Sequence, residues 1–477
     1  MIPGRFAKVH VHLLLLLISL PLLPRWAFAA GRGDQPDFSA LDQVVLEELK
    51  ATRTPGAAVA VVLGDRVVYA RGYGVANVET GAPVSPEMLF RLGSTTKMFT
   101  AAALTTLGDS GKLRLDAPIG EYVKGLSPKL SRVTGHQLLS NTSGIRDFAA
   151  PFVSNDDEGL ARNVLSWKDD AFFAEPGSIY SYSSPGFWLA GFVIEQVGGK
   201  PYADEMEELI FRPAGMGRTT LRPLAAMTYP MALGHNTEGD GPPAIIRPLF
   251  NNTAMWPAGS IFSNVLDLSR FALAMMNGGK LEGKQALAPS VVSKLPAPHA
   301  LIPGEIDVNY GYGLLLYNER GVRVVTHGGF SRGYGSTIQM VPEHRFAVIV
   351  LTNRSGETLT RSREKAMELA LPLKPQAERN VKPLPISEDE MRSFVGAYSH
   401  APQVWEVFIK DGKLFLKMDG KESPLTRIGE NKFSAGSAGE EIAFVRGSNG
   451  TGGRAEYLFN GLYSARRAGA RDAATDK

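Results

Sequence analysis

Ser94 and Lys97 stand three residues apart in FRLGSTTKMFTAAAL (90–104). At the start of a helix that spacing puts a hydroxyl and an amine on one face, within reach of each other. A serine hydroxyl attacks a carbonyl only when a base takes its proton, and lysine serves as that base once burial or a nearby charge lowers its pKa. The chemistry such a pair offers is acyl transfer through a covalent serine ester. An isolated pair of this kind is more often a helix-capping serine followed by a solvated lysine, so the rest of the chain has to decide. Competing chemistries are narrowed quickly. There is no cysteine, which removes a thiol nucleophile, disulfides, thiolate metal sites and a lipid-modified N-terminal Cys. The eight histidines form no HExxH or comparable ligand spacing, so neither a metal nor another cofactor is expected. A lipase-like nucleophile elbow following a strand is not expected either.

The elements that must position the pair can be read along the chain. Phe38 to Leu49 has helical spacing of apolar residues, and Pro55-Gly56 opens the β-rich run AAVAVVL (57–63). Gly64-Asp65 separates that run from VVYARGYG (67–74), which predicts a hairpin. KMFTAAALTTLGDSG (97–111) has helix-forming residues and ends in glycine, so a helix starts near Ser94. A helix-rich, loop-rich middle follows to about residue 300, including the amphipathic LDLSRFALAMMNGG (266–279); strands return at 322–327, 336–341 and 346–353. Strands at both ends around a helical middle predict one α/β (α+β) catalytic domain over 31–372, its sheet assembled from distant segments. Four prolines between 371 and 387 mark a linker over 373–387. VWEVFIK (404–410), Asp411-Gly412 and KLFLKM (413–418) form a hairpin signature. With strands at 441–446 and 455–460 it predicts a small antiparallel β module over 388–467, followed by a polar, disordered tail over 468–477.

The first thirty residues differ from the rest. Arg5 and Lys8 precede an apolar run from Val11 to Leu23, and Pro24, Arg25 and Ala27-Phe28-Ala29 follow. That is the layout of a signal peptide over 1–29, cleaved near Ala29, with an uncleaved membrane anchor as the alternative. The expected location is periplasmic or secreted. Across 477 residues, 51 basic and 48 acidic side chains leave a formal charge of only +3, too weak a field to argue for nucleic acid.

Several segments agree in order with a known family. Ser94-x-x-Lys97, then Tyr182-Ser183-Ser184 after Pro176-Gly177, then His327-Gly328-Gly329 resemble the three motifs of the serine beta-lactamase and penicillin-binding-protein superfamily, especially its class C and esterase-like branch. GKLRLDAPIGEYV (111–123), LLSNTSGIRD (138–147), PAGSIFSNVLDLSRFALAMMNGG (257–279) and YGYGLL (310–315) resemble further segments of it, so the resemblance covers nearly all of residues 40–355. It implies a mostly antiparallel sheet flanked by helices with a helical subdomain, and the C-terminal module resembles the small β-barrel domains behind some members. It assigns Ser94 as nucleophile, Lys97 and Tyr182 as proton-handling partners, and His327, Gly328, Gly329 and Ser184 to substrate binding. Backbone N–H groups of Ser94 and Phe330 would form the oxyanion hole. Tyr180 competes with Tyr182 but lies two residues early. Ser184 departs from the family's asparagine at this position and offers one hydroxyl in place of an amide.

The expected function is an exported serine hydrolase acting on an ester, amide or lactam carbonyl, with a small molecule or cell-wall peptide as partner. His327 and Ser184 favour an esterase or D-amino-acid peptidase over an antibiotic-degrading lactamase. The alternative from another class is a catalytically inactive binding or scaffold protein that keeps the fold.

Overall fold

The GAAVAVVL segment is a strand, Gly56–Leu63, with both faces covered, and its side chains divide by parity. Ala58, Ala60 and Val62 enter the larger core; Ala57, Val59 and Val61 enter a second core behind the sheet. Strand Phe346–Thr352 divides the same way, with Ala347, Ile349 and Leu351 on one side and Phe346, Val348 and Val350 on the other. A period of two with apolar residues at every position is what a strand buried on both faces requires. The computed structural model of the protein describes residues 36–237, 241–376, 382–436, 439–446 and 453–469. The expected leader lies outside them, as does most of the expected tail.

These strands are the centre of a nine-stranded sheet of antiparallel pairs. Gly56–Leu63 pairs on one side with Arg66–Asn77 and on the other with Phe346–Thr352; Tyr334–Val341, Val322–Ser331 and Leu315–Glu319 follow in turn. The strand expected over 322–327 runs on to Ser331, because Tyr334–Val341 hydrogen-bonds along the whole Gly-Gly stretch. Helices Ser39–Thr52 and Thr360–Ala370 cover the rear face. The second of these has no side-chain cap of its own. Buried Glu48 of the first accepts the N–H groups of Arg361 and Ser362 at 2.9 and 2.8 Å and the Ser362 hydroxyl at 2.6 Å. A carboxylate at a helix N-terminus with three donors is a strong tie. Glu48→Ala is therefore expected to lower stability by about 1.5–3 kcal/mol, read from the urea midpoint, with little effect on the site across the sheet.

The front face packs on helix Val265–Met276, and the core it closes takes in helix Thr96–Asp109, which is buried on nearly every side and lies against helix Ser184–Gly198. Beyond the linker, whose described ends are tied by Lys374 N–H to the Arg320 carbonyl and Leu384 N–H to the Arg427 carbonyl, the chain forms a closed eight-stranded meander barrel from Gly396 to Arg467. Tyr398–Arg467 and Ser399–Arg466 pairing seals it. Trp405, Phe433, Phe444 and Leu458 fill its interior together with Phe394 of helix Glu388–Phe394, as expected where eight strands leave room only for side chains.

Candidate active site

The chain turns sharply before Ser94 and can do so only with glycine. Gly93 has φ +55°, and a Cβ there would sit 2.3 Å from the Phe330 carbonyl oxygen. A short 3-10 turn, Gly93–Thr95, then runs into helix Thr96–Asp109. Thr95 Oγ1 lies 2.7 Å from Ser336 Oγ and 3.3 Å from the His327 carbonyl, pinning the turn to the edge of the sheet. On that edge the strand Val322–Ser331 pairs with Leu315–Glu319 only as far as Thr326. From His327 to Ser331 one edge is left to the Ser94 turn. Gly329 serves this closeness, since a Cβ there would meet the Leu92 carbonyl at 1.8 Å. Gly328 differs: its nearest neighbours would lie at 3.8 Å, so the chain's own packing does not demand glycine there.

Lys97 is fully buried in the first turn of the helix. Its Nζ lies 3.2 Å from Ser94 Oγ, 3.4 Å from Ser184 Oγ and 3.1 Å from the Ala258 carbonyl, and 4.7 Å from the centre of the Tyr182 ring. Burial brings its pKa down to about 7, against a smaller opposing pull from Asp147. Tyr182 occupies the extended segment before helix Ser184–Gly198, where Ser183 caps the helix through Gly186 N–H. Its phenol lies near enough to Ser94 for that hydroxyl to favour its ionised form, but burial dominates and holds its pKa well above 10, so the group is neutral. Tyr180 is turned elsewhere, packed against Tyr310 and Phe459.

His327 reaches the site with both ring nitrogens engaged. Nδ1 lies 2.6 Å from the Gly328 carbonyl, which fixes the proton there, and Nε2 lies 3.1 Å from the Tyr310 hydroxyl, from which it accepts. Burial, with the Lys97 charge adding to it, lowers its pKa to about 3, so the imidazole is uncharged. Phe330 N–H lies on the same strand, its side chain 64% exposed. Gly329-Phe330-Ser331-Arg332-Gly333 spells Gly-x-Ser-x-Gly, but it spans a strand-to-strand turn between Val322–Ser331 and Tyr334–Val341 and lacks the strand-to-helix geometry of a nucleophile elbow.

Two residues beside the motifs have no part in the sequence reading: Asp147, whose Oδ1 accepts the Ser184 N–H at 2.7 Å, and Tyr310. Both stand in segments that resemble the superfamily, yet nothing in their spacing marks them. No group of three or more His, Cys, Asp or Glu suited to a metal occurs among the described residues.

A Ser-x-x-Lys pair on a buried helix at the edge of a largely antiparallel sheet is the architecture of the serine beta-lactamase and penicillin-binding-protein superfamily. The family model described as Beta-lactamase matches residues 41–371, and the chain belongs to that family. Penicillin-binding protein 4 of Amycolatopsis lactamdurans is 30% identical over 328 residues, 64% of this chain and 84% of that one. A D-aminopeptidase of Gluconobacter oxydans is 29% identical over 333 residues, 68% of this chain and 60% of its own length. Unguisins hydrolase ungD of Aspergillus violaceofuscus is 26% identical over 358 residues, 68% of this chain and 63% of its own. Among solved structures, the octameric penicillin-binding protein homologue from Pyrococcus abyssi aligns with TM-score 0.62 at 24% identity, covering 90% of this chain and 99% of that one. A class C beta-lactamase aligns with TM-score 0.60 at 20% identity, covering 71% and 97%. The wider of these two matches has to take in the barrel; both are likenesses of fold.

Proposed function

We propose that the protein is an exported serine hydrolase that works through an acyl-enzyme on Ser94. The observation that carries the reading is Lys97: a fully buried amine, its pKa brought down to about 7, placed 3.2 Å from the serine oxygen. In the neutral form it takes the Ser94 proton as Oγ bonds to the substrate carbonyl carbon. The N–H groups of Ser94 and Phe330 receive the oxyanion. Tyr182, neutral and beside Ser94 and Lys97, hands a proton to the leaving group and regains one from Lys97. Water, deprotonated by the same groups, then attacks the ester and frees Ser94.

The substrates favoured are simple esters and D-amino-acid peptides. Ser184 supplies no amide, and the uncharged His327 supplies no cation for a substrate carboxylate. The similarity to a D-aminopeptidase supports the peptide reading. Hydrolysis of a short nitrophenyl ester, a D-alanine anilide and a chromogenic cephalosporin, each beside Ser94→Ala, tests it; unchanged turnover in the mutant would sink it. Export rests on the first thirty residues, and N-terminal sequencing of protein from outside the cytoplasm should begin near residue 30.

A pH profile follows from Lys97. The protonated amine cannot accept the Ser94 proton, so kcat/KM is expected to rise as pH increases through about 7 and then level off. The Asp147 charge raises the lysine's pKa, so Asp147→Asn should move that limb to lower pH. A profile flat from pH 5 to 9 would contradict the lysine's role.

A further inference from the structure

The segment Tyr180–Ser183 belongs to no strand of the main sheet. It is held from two sides. On one, Asn141 accepts the Ser181 N–H through its carbonyl at 2.9 Å and the Ser183 N–H through Oδ1 at 3.1 Å. On the other stands the barrel, through the turn between strands Ala455–Phe459 and Ser464–Arg467. The Leu462 carbonyl accepts the Tyr182 N–H at 3.1 Å. Ser464 donates its N–H to Ser181 Oγ at 3.1 Å and its hydroxyl to the Tyr180 carbonyl at 2.7 Å. The barrel also reaches Asp147: the Tyr463 hydroxyl donates to Oδ2 at 3.0 Å, and His400 Nε2 accepts the Asp147 N–H at 3.3 Å. The other oxygen of that carboxylate holds the Ser184 N–H, and Ser184 Oγ contacts Lys97.

The turn is braced to do this. Asn460 Oδ1 accepts the N–H groups of Leu462 and Tyr463 at 3.2 and 2.8 Å, and Gly461 takes φ +89°. We propose that the barrel turn Asn460–Ser464 is a working part of the active site. Tyr463 is a positioning residue acting through Asp147 on the Ser184–Lys97 contact, and the Leu462 carbonyl sets the main chain that carries Tyr182. The inference rests on the reading that Ser94 is the acylated residue.

The test compares Tyr463→Phe, Asn460→Ala and Tyr398→Phe in the full chain. Tyr398 donates its hydroxyl to the Phe394 carbonyl inside the barrel, so its loss reports on barrel stability alone. The measurements are kcat and KM for a nitrophenyl ester, the rate at which a phosphonate labels Ser94, and the thermal midpoint. A misplacement of about 1 Å costs on the order of 100-fold in rate, and loss of one brace should give part of that. Tyr463→Phe is expected to lower kcat and the labelling rate roughly 10-fold with KM near wild type, while its midpoint falls only by an amount comparable to that of Tyr398→Phe. Asn460→Ala should lower the same two rates, whereas Tyr398→Phe should lower only the midpoint. Labelling at the wild-type rate in both Tyr463→Phe and Asn460→Ala would overturn the inference and leave the proposed function standing. Failure of the wild-type protein to label at Ser94 would overturn both.

Discussion

Ser94→Ala should reduce turnover of every substrate the protein hydrolyses by on the order of 10⁶ in kcat, the loss that removal of a serine nucleophile causes elsewhere. The change deletes one oxygen from a turn whose shape is set by Gly93 and by Thr95 against Ser336, so the fold should survive it. Lys97 keeps Ser184 and the Ala258 carbonyl as partners. Stopped-time mass spectrometry gives a second readout: wild type should carry the acyl group of a slow ester on the peptide containing Ser94, and the mutant should carry none. An adduct on any other residue would redirect the mechanism.

Lys97→Met is expected to lower kcat by about 10³-fold or more, since it removes the base while nearly preserving volume. Its effect on stability should have the opposite sign. Holding the lysine's pKa down from its ordinary 10.5 to about 7 costs the folded protein on the order of 5 kcal/mol. The sign follows from proton uptake: the unfolded chain holds the proton up to 10.5, the folded one only to about 7, so the penalty is complete below pH 7 and vanishes above 10.5. A thioether carries no such penalty, though the methionine forfeits three polar contacts. At pH 7 the mutant should therefore unfold at a higher urea concentration than wild type, and the difference should shrink as pH rises. A mutant less stable at neutral pH would mean the amine is better solvated than its surroundings indicate.

The main sheet was readable where single strands carried their own signal. AAVAVVL and FAVIVLTN are apolar at almost every position because both faces are buried, and Asp411-Gly412 announced its hairpin. The barrel strands Lys421–Arg427 and Ser464–Arg467 gave no such signal: one is mostly polar, the other four residues long, and only closure of the barrel makes them strands. The site divides similarly. Ser94 and Lys97 are legible because three residues in one helical turn decide their distance. Tyr182 and His327 followed from the order of motifs, without any local geometry. Asp147 and Tyr463 meet across 316 positions of chain, and no spacing rule reaches that far. His327 was expected to face substrate, and its hydrogen bond to Tyr310 could not be foreseen from a histidine before two glycines.

The central strand has a further consequence for how the protein is made. Gly56–Leu63 gains its hairpin partner within twenty residues, but its other edge waits for Phe346–Thr352, with Ala57 paired to Thr352. At about 5–20 residues per second, a ribosome needs roughly 15–60 s to deliver that partner. During that interval one edge of an all-apolar strand is unsatisfied, and the Gly93–Thr95 turn lacks the strand Val322–Ser331 that it lies against. Until about three quarters of the chain has emerged, that apolar edge is open to pairing with another chain, so dilution or a holding chaperone during synthesis should raise the yield of folded protein.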